Sequence, residues 1–374
     1  MDVKDIKFSR DRGQRDFAMA LRKRVNEYFN SNGISRFANT SMVVKTIVLL
    51  SIFIACYASI LGGWVTNAWL MIGIWVLLGI TTAGIGFSVM HDANHGAYSR
   101  NKYVNAVLGY VINFIGGFSI NWKIQHNTLH HSFTNVHGAD EDIDAGNLLR
   151  FSPEQEHLPF HRFQHIYAWF LYSLMTHMWI TTKDFKQLIN YKKNGLLEQH
   201  GLTFNRAFSE LLFIKVLYYS YLLVLPLVFS PVAWWVTLIG FVVMHFALGF
   251  LLACVFQTAH VMESSHFPGT DEEGNLEHNW AVHQLMTTTN YAPNNRLLSW
   301  FVGGLNYQVE HHLFPNICHT HYRKLSKIVR ETAEEYGVPY NTLPSFRSAL
   351  RIHWRMLRKL GSGADLQPSM AQVG

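Results

Sequence analysis

Two long stretches without charge limit what this chain can fold into. Residues 46–90 and 216–262 contain no Asp, Glu, Lys or Arg. Each stretch is long enough for two bilayer-crossing helices of about 20 residues and the turn that joins them. The whole chain is 49% hydrophobic and only 15% charged, which is too apolar for an ordinary soluble protein of this length. The sequence therefore predicts an all-α integral membrane protein with four spanning helices arranged as two hairpins.

Turn-forming residues divide each stretch into two spans. Gly62 and Asn67 interrupt the first stretch, and Pro226 and Pro231 interrupt the second. The predicted spans are about residues 43–64, 67–90, 211–230 and 233–258. A cytosolic helical cap is expected from residues 91–210 and 259–345, which with the spans form one domain over 42–345. Outside that domain we expect a basic N-terminal segment (1–41) and a basic C-terminal segment with a disordered tail (346–374).

The distribution of charge predicts the orientation in the membrane. Ten Lys or Arg precede residue 46 against five acidic residues, while both predicted hairpin turns are uncharged. By the positive-inside tendency, the two termini and the polar ends of both hairpins are cytoplasmic. Attraction to a membrane surface accounts for the sequence pI of 9.1 and for the basic C-terminal stretch, since no nucleic-acid-binding motif accompanies the charge.

Two further uncharged segments, 104–122 and 163–182, are long enough to be mistaken for spans. Asn and Gly interrupt the first, and His, Trp and Tyr populate the second, which is typical of helices at the membrane interface. Helical periodicity is expected over 17–29 and 321–336. No alternation is strong enough to predict a sheet.

Three histidine clusters lie in the polar parts of the chain. They read His91-x3-His95, His126-x3-His130-His131 and Gln308-x2-His311-His312. Residues four apart share one face of a helix, so such spacing suits metal binding by imidazole. His260 ends the fourth apolar run at the depth of His91 and is a further candidate ligand. If both interfacial segments crossed the bilayer, the second cluster would lie on the opposite side from the first and third, so a common site argues against crossing.

The number and type of these ligands favour two redox-active iron ions. One metal ion takes four to six ligands, so seven cluster histidines are more than a single ion can bind. Structural zinc sites usually recruit thiolates, but no cluster contains a cysteine. The three cysteines do not suggest a disulfide framework. Ligating histidines are commonly oriented by carboxylates. The carboxylates predicted to do so are Asp92, Asp140, Asp142, Asp144 and Glu310.

The chain resembles the integral-membrane fatty acid desaturases of the histidine-box, di-iron type. The motifs that carry the resemblance are HDANH (91–95), NWKIQHNTLHHSFTNVHGADEDID (121–144), FQTAHVME (256–263), NWAVHQLMTTTNYA (279–292) and GGLNYQVEHHLFP (303–315). The leading Gln308 of the third box resembles front-end desaturases and linoleoyl-CoA desaturase-like bacterial members. No fused cytochrome b5 motif is present, so a separate electron donor such as ferredoxin or cytochrome b5 is expected.

The resemblance implies specific roles for these residues. The implied iron ligands are His91, His95, His126, His130, His131, His260, His311 and His312. The resemblance leaves open whether Gln308 contacts iron.

The implied reaction uses O2 and two electrons to place a cis double bond in the acyl chain of an acyl-CoA or a phospholipid. Four cations are candidates for contact with the substrate head group: Arg100, Lys102, Lys123 and Arg150. Hydroxylation by the same centre is the alternative activity, and a membrane metal transporter is a more distant one.

Overall fold

The computed structural model describes residues 5–363, and helices dominate it. The first half contains α1 (Arg12–Asn32), α2 (Thr40–Leu61), α3 (Ala68–Asn94), α4 (Lys102–Phe114), α5 (Ser119–Phe133), α6 (Gln164–Met178), α7 (Asp184–Lys193) and α8 (Leu196–Gln199). The second half contains α9 (Phe204–Phe229), α10 (Trp234–His260), α11 (Trp280–Thr287), α12 (Arg296–Phe301), α13 (Gln308–Leu313), α14 (Tyr322–Glu335) and α15 (Phe346–Gly361).

Within residues 5–363, four helices are long and apolar enough to cross a membrane, as the uncharged stretches predict, and a fifth span would result only if the bent pair α4 and α5 formed one. They are α2, α3, α9 and α10, and each has a mean hydropathy of 2.0 or more over its most apolar window. Asn39 and Asn67 begin the first two, because each side chain accepts a hydrogen bond from a backbone N–H of the first turn. The third helix begins at Phe204, earlier than predicted, because a polar first turn precedes its apolar part.

Two glycines let α3 and α10 cross closely. A Cβ atom at Gly79 would lie 2.4 Å from the backbone oxygen of Met244. A Cβ atom at Gly240 would lie 2.2 Å from the indole of Trp75, which is completely buried. Since both contacts are at or below van der Waals distance, the crossing accepts no larger residue without a shift of the backbone. The crossing positions the ends of α3 and α10 beside each other.

Substitution of Gly79 by alanine is expected to destabilise the protein by about 1–3 kcal/mol, because the added methyl group must push the two helices apart. Gly73→Ala is the matched control, since this glycine lies in the same helix and a Cβ atom there would meet nothing within 4 Å. The stability of both variants is measured by thermal unfolding in detergent. Equal midpoints for the two variants would contradict the close crossing.

The segment that carries the second histidine cluster is bent. Helices α4 and α5 meet at 112°, and Gly116, with φ of 101°, occupies the turn between them. The buried Lys215 of α9 donates to the carbonyl of Gly116 at 2.9 Å and to the carboxylate of Asp184 at 2.5 Å. A lysine buried in an apolar helix is costly unless it is paired and hydrogen-bonded. Lys215 thus ties the bend to α9 and to the start of α7.

The remaining helices pack around the ends of these spans. Apolar residues of α1, α11, α13 and α14 form one core that includes Phe17, Leu21 and Val25. The helices predicted over 17–29 and 321–336 are confirmed, and Gly33 ends the first in a left-handed conformation. Helix α15 packs against α6 and the end of α10.

Among the described residues there is one short sheet that the sequence did not predict, the two-residue parallel pair of β1 (Asn290–Tyr291) and β2 (Thr342–Leu343). Most of the predicted tail lies outside the described residues.

Candidate metal centre

Four elements bring the predicted ligands together. The first histidine cluster lies where α3 ends, the second lies on α5, the third lies on α13, and His260 is the last residue of α10. Both α3 and α5 contain a π-helical segment next to or within their cluster, at Ile85–Met90 and Lys123–His130. Such segments often occur at functional sites because the wider turn changes the direction of side chains.

One group of ring nitrogens belongs to His91, His95, His126 and His311, whose candidate ligand atoms all lie within 4.8 Å of one another. The Nε2 atoms of His91 and His126 are 3.2 Å apart. Two nitrogens bound to one metal at about 2.1 Å lie about 3.0–3.4 Å apart for angles near tetrahedral or square. The spacing of this group therefore fits ligands of a single ion.

A second group contains His130, His260 and His312, again within 4.8 Å. The side chain of His131 lies between the two groups. Its Nε2 is 3.3 Å from that of His126 and 3.0 Å from that of His311, and it also groups with His312. Eight histidines from separate parts of the sequence thus form two adjoining ligand sets rather than one.

Several buried nitrogens in this centre lack a partner, which is the condition a bound metal would satisfy. Within residues 5–363, the Nε2 atoms of His95, His260 and His312 have no hydrogen-bond partner. Burial, with the neighbouring imidazoles, holds the pKa of His131, His311 and His312 well below the usual 6.5. Neutral imidazoles keep the lone pair that a metal requires. The donors present therefore fit metal binding.

Two of the predicted carboxylates contact the histidines. Both oxygens of Asp140 lie 3.0 Å from Nδ1 of His130, and Asp142 approaches the same atom at 3.4 Å and Nδ1 of His126 at 3.7 Å. Burial opposes the charge on His130, but these carboxylates outweigh it and raise its pKa to about 9, so a metal ion that binds Nε2 would displace a proton from it. A hydrogen bond at Nδ1 fixes the ring of His130 and leaves Nε2 as the nitrogen available to a metal ion.

Two other predicted carboxylates do not contact a cluster histidine in the part of the chain that the structure describes. Asp144 is exposed, and its carboxylate accepts a hydrogen bond from the backbone N–H of Gly146 at 2.9 Å. Glu310 is fully buried on the opposite face of α13, where Asn290 and Tyr340 donate to it at 2.8 and 2.9 Å. Burial raises the pKa of Glu310 to about 7. Asp144 and Glu310 are close to the histidine clusters in sequence but do not contact them, because neighbouring side chains point in different directions.

The fifth carboxylate, Asp92, belongs to a buried network that the sequence analysis missed. Lys45 Nζ lies 2.8 Å from Nε2 of His319, and Nδ1 of His319 lies 2.8 Å from Asp92. All three side chains are at most 6% exposed. The other oxygen of Asp92 is 3.9 Å from Nδ1 of His91. His319 lies in the turn just before α14 and joins a lysine of the first span to the first histidine cluster.

Side chains outside the boxes orient the third cluster. Nδ1 of His312 lies 2.8 Å from the side-chain oxygen of Gln284, whose amide nitrogen donates to the carbonyl of His131 at 3.2 Å. The hydroxyl of Tyr322 is 3.3 Å from Nδ1 of His311. Gln284 stands within the motif 279–292, yet nothing in its spacing identified it as a partner of His312.

Gln308 is 1% exposed, and its amide nitrogen has no partner among the described residues. Rotation of the amide exchanges nitrogen and oxygen, so this position offers the site either a donor or an acceptor. Arg100, Lys102 and Lys123 are exposed. Arg150 is not available as a head-group ligand, because its guanidinium donates to the backbone carbonyls of Pro153, Gln155 and Leu360.

Comparison with known proteins identifies the family. The profile described as fatty acid desaturase matches residues 67–344, which is most of the chain. The chain belongs to the fatty acid desaturase family.

Among curated relatives, this desaturase is 38% identical to the sn-1 linoleoyl-lipid 6-desaturase of Synechocystis, with 96% of this chain and 98% of the relative covered. It is 34% identical to the protein of the same name from Arthrospira platensis, with 92% of each chain covered. The acyl-lipid (8-3)-desaturase of Physcomitrium patens is 34% identical over 94% of this chain and 73% of the relative.

The protein is therefore a membrane fatty acyl desaturase and an oxidoreductase. The comparisons do not favour hydroxylation, the alternative activity. The transporter alternative also lacks support, because His245, the histidine deepest in an apolar helix, is held by Tyr218 at 2.9 Å and by Thr176 at 3.1 Å. His245 is therefore a hydrogen-bonded core histidine. Desaturases are generally di-iron, O2-dependent enzymes, and the histidine groups of this one are compatible with that chemistry.

Proposed function

We propose that this desaturase introduces a cis double bond into an acyl chain of a membrane lipid, with two iron ions held by the eight histidines. The convergence of these eight side chains, with buried unpaired nitrogens, carries the proposal. Bound iron would supply the O2-dependent removal of hydrogen from unactivated methylenes, a step that amino-acid side chains cannot perform alone. Two electrons come from a separate donor protein.

We assign the ligands by their geometric groups. His91, His95, His126 and His311 hold one ion, while His130, His260 and His312 hold the other. His131 lies between them. The carboxylates of Asp140 and Asp142 offset the positive charge of the ions and keep His130 oriented.

A small hollow beside the centre has room for about one water molecule, so an acyl chain must displace side chains to enter it. Its lining is mostly apolar: Ile112, Gly117, Phe118, Trp122, Gln125, Trp179, Asp184 and Gln187. The ring of Trp122 also packs against His91, His95 and His126, with centroids 4.5–5.8 Å apart. We propose that the chain reaches the metals past Trp122. The names of the two cyanobacterial relatives make an sn-1 linoleoyl lipid, desaturated at position 6, the substrate to test first.

We further propose that the four long helices form two hairpins, with both termini and the metal centre at the cytoplasmic face. The excess of basic residues before α2 supports this orientation. The location of the metal centre at the ends of α3 and α10 agrees with this orientation, since the cytoplasmic end of the helix bundle then faces the donor protein. A cysteine-labelling experiment on intact cells, with reporters at residues 63 and 231, tests the orientation. Labelling only after lysis would contradict it.

Expression in a bacterial host that makes no polyunsaturated lipid, supplied with linoleate, tests the activity. We expect a new double bond, located by mass spectrometry of derivatised acyl chains, and two iron ions per purified chain. A product heavier by one oxygen would instead indicate hydroxylation. Activity with one equivalent of another metal and no iron would contradict the assignment of the centre.

Replacement of Asp140 by asparagine is expected to reduce iron affinity and turnover by about 10–100-fold, because His130 loses the charged partner of its Nδ1. Asp144→Asn is the matched control and should retain both, since Asp144 is exposed and contacts no histidine of the centre. Iron titration and turnover are measured in parallel. Equal behaviour of the two variants would remove Asp140 from this role.

A further inference from the structure

Helix α15 presents a row of cations that the metal centre does not use. Arg347, Arg351, Arg355 and Arg358 recur at spacings of four, four and three residues, and all are exposed. Such spacing places them along one face of a helix. Within residues 5–363, none of them takes part in an ion pair. We name Arg351, Arg355 and Arg358 the arginine stripe.

The opposite face of α15 holds this helix firmly to the span that ends at the metal centre. His353 is fully buried, with Nδ1 2.9 Å from the carbonyl of Val261 and Nε2 2.7 Å from the hydroxyl of Tyr172. Met356, Leu357 and Leu360 pack with Ala253, Cys254 and Val261. The arginine stripe is therefore carried on a fixed support, and Val261 is the residue that follows His260.

An exposed apolar surface adjoins the stripe. Phe160, Phe163, Ile166 and Phe170 are 44–64% exposed, along the turn before α6 and on one face of that helix. The two surfaces meet where the ring of Trp354 packs against His165 at 5.1 Å and Arg358 lies 5.8 Å from the same indole. At this junction Arg162 also lies over the ring of Phe163. Large apolar side chains beside a tryptophan and a row of cations are typical of a surface at the level of lipid head groups.

We propose that the arginine stripe binds the phosphates of anionic phospholipids, while the neighbouring apolar surface lies among their acyl chains. An acidic soluble protein would match the cations but not the adjoining phenylalanines, which favours lipid as the occupant. The inference does not depend on the assignment of the metal ligands. It places anionic lipid beside the end of α10 that carries His260.

The test uses the full-length enzyme in an uncharged detergent and dioctanoyl phosphatidylglycerol as the probe. Binding is followed by measuring the thermal unfolding midpoint of the enzyme as the concentration of this lipid is raised. We expect the half-saturating concentration to rise about 100-fold in the triple variant R351Q/R355Q/R358Q, since each cation near a membrane surface contributes roughly fivefold. The triple lysine variant, which keeps the charge, should respond like the unmodified enzyme. Dioctanoyl phosphatidylcholine and inorganic phosphate should produce no comparable shift.

The matched control is R323Q/K324Q/K327Q, which removes three exposed cations from α14 and should leave the lipid response unchanged. An unchanged response of the stripe variant would overturn the proposal, and so would an equal shift with inorganic phosphate. Loss of donor-supported turnover with an intact lipid response would show that the stripe binds an acidic protein instead.

Discussion

His260→Ala is expected to abolish desaturation and to lower bound iron from two ions to about one per chain, because His260 supplies one of three nitrogens in the second ligand group. His260 lies outside all three histidine clusters, so this variant tests the tertiary assignment rather than the sequence motif. Iron is measured on purified protein by mass spectrometry of the metal, and desaturation by analysis of the host lipids.

The control for His260 is His177→Ala. His177 packs its ring 5.0 Å from that of His245, which precedes His260 by fifteen residues on α10, and it belongs to neither histidine group. This variant is expected to retain two iron ions and the product double bond. If His260→Ala also retained two ions, the second ligand group would be wrong even though the family assignment would stand.

Lys45→Met is expected to destabilise the protein by about 3–5 kcal/mol, because removal of one member of a buried charged network leaves the other uncompensated. The uncompensated group is Asp92, 2% exposed and linked to Lys45 through His319. Since Asp92 adjoins His91, we also expect loss of iron from the first ligand group. Thermal unfolding in detergent and iron content measure the two effects.

Lys123→Met is the matched control for Lys45, because Lys123 is exposed beside the second cluster. It is expected to change stability by less than about 0.5 kcal/mol. Lys45→Arg keeps the charge and should recover part of the loss. A Lys45→Met protein as stable as the unmodified enzyme would show that the two hydrogen bonds from His319 suffice to compensate Asp92.

Local patterns predicted the long helices well. The absence of charge over 46–90 and 216–262 depends only on composition, and the apolar parts of the four helices that the described residues offer as spans lie there, although α9 begins at Phe204. The bend between α4 and α5 was only partly foreseen: Gly and Asn marked an interruption, but neither the 112° angle nor the hydrogen bond from Lys215 of a distant helix to Gly116 could be predicted from them. The position of His260 at a helix end was also readable, because its depth follows from counting residues along the span.

Carboxylate partners were predicted less well. Asp140 and Asp142 contact histidines of the centre, whereas Asp144 and Glu310 turn toward other groups. Nothing local distinguishes Asp142 from Asp144, since both follow the same cluster. Lys45 was counted only as one of the basic residues before the first span, where its partners Asp92 and His319 could not be seen.

The sequence by itself determined the membrane character of this desaturase and the histidines that can hold its metals, because hydropathy and ligand spacing are properties of short segments. The tertiary structure decided which histidines share a group, that His131 lies between the groups, and which acids and amides orient them. It also decided that the C-terminal cations form a stripe beside exposed phenylalanines. These features depend on contacts between segments far apart in the chain, whose distances only folding sets.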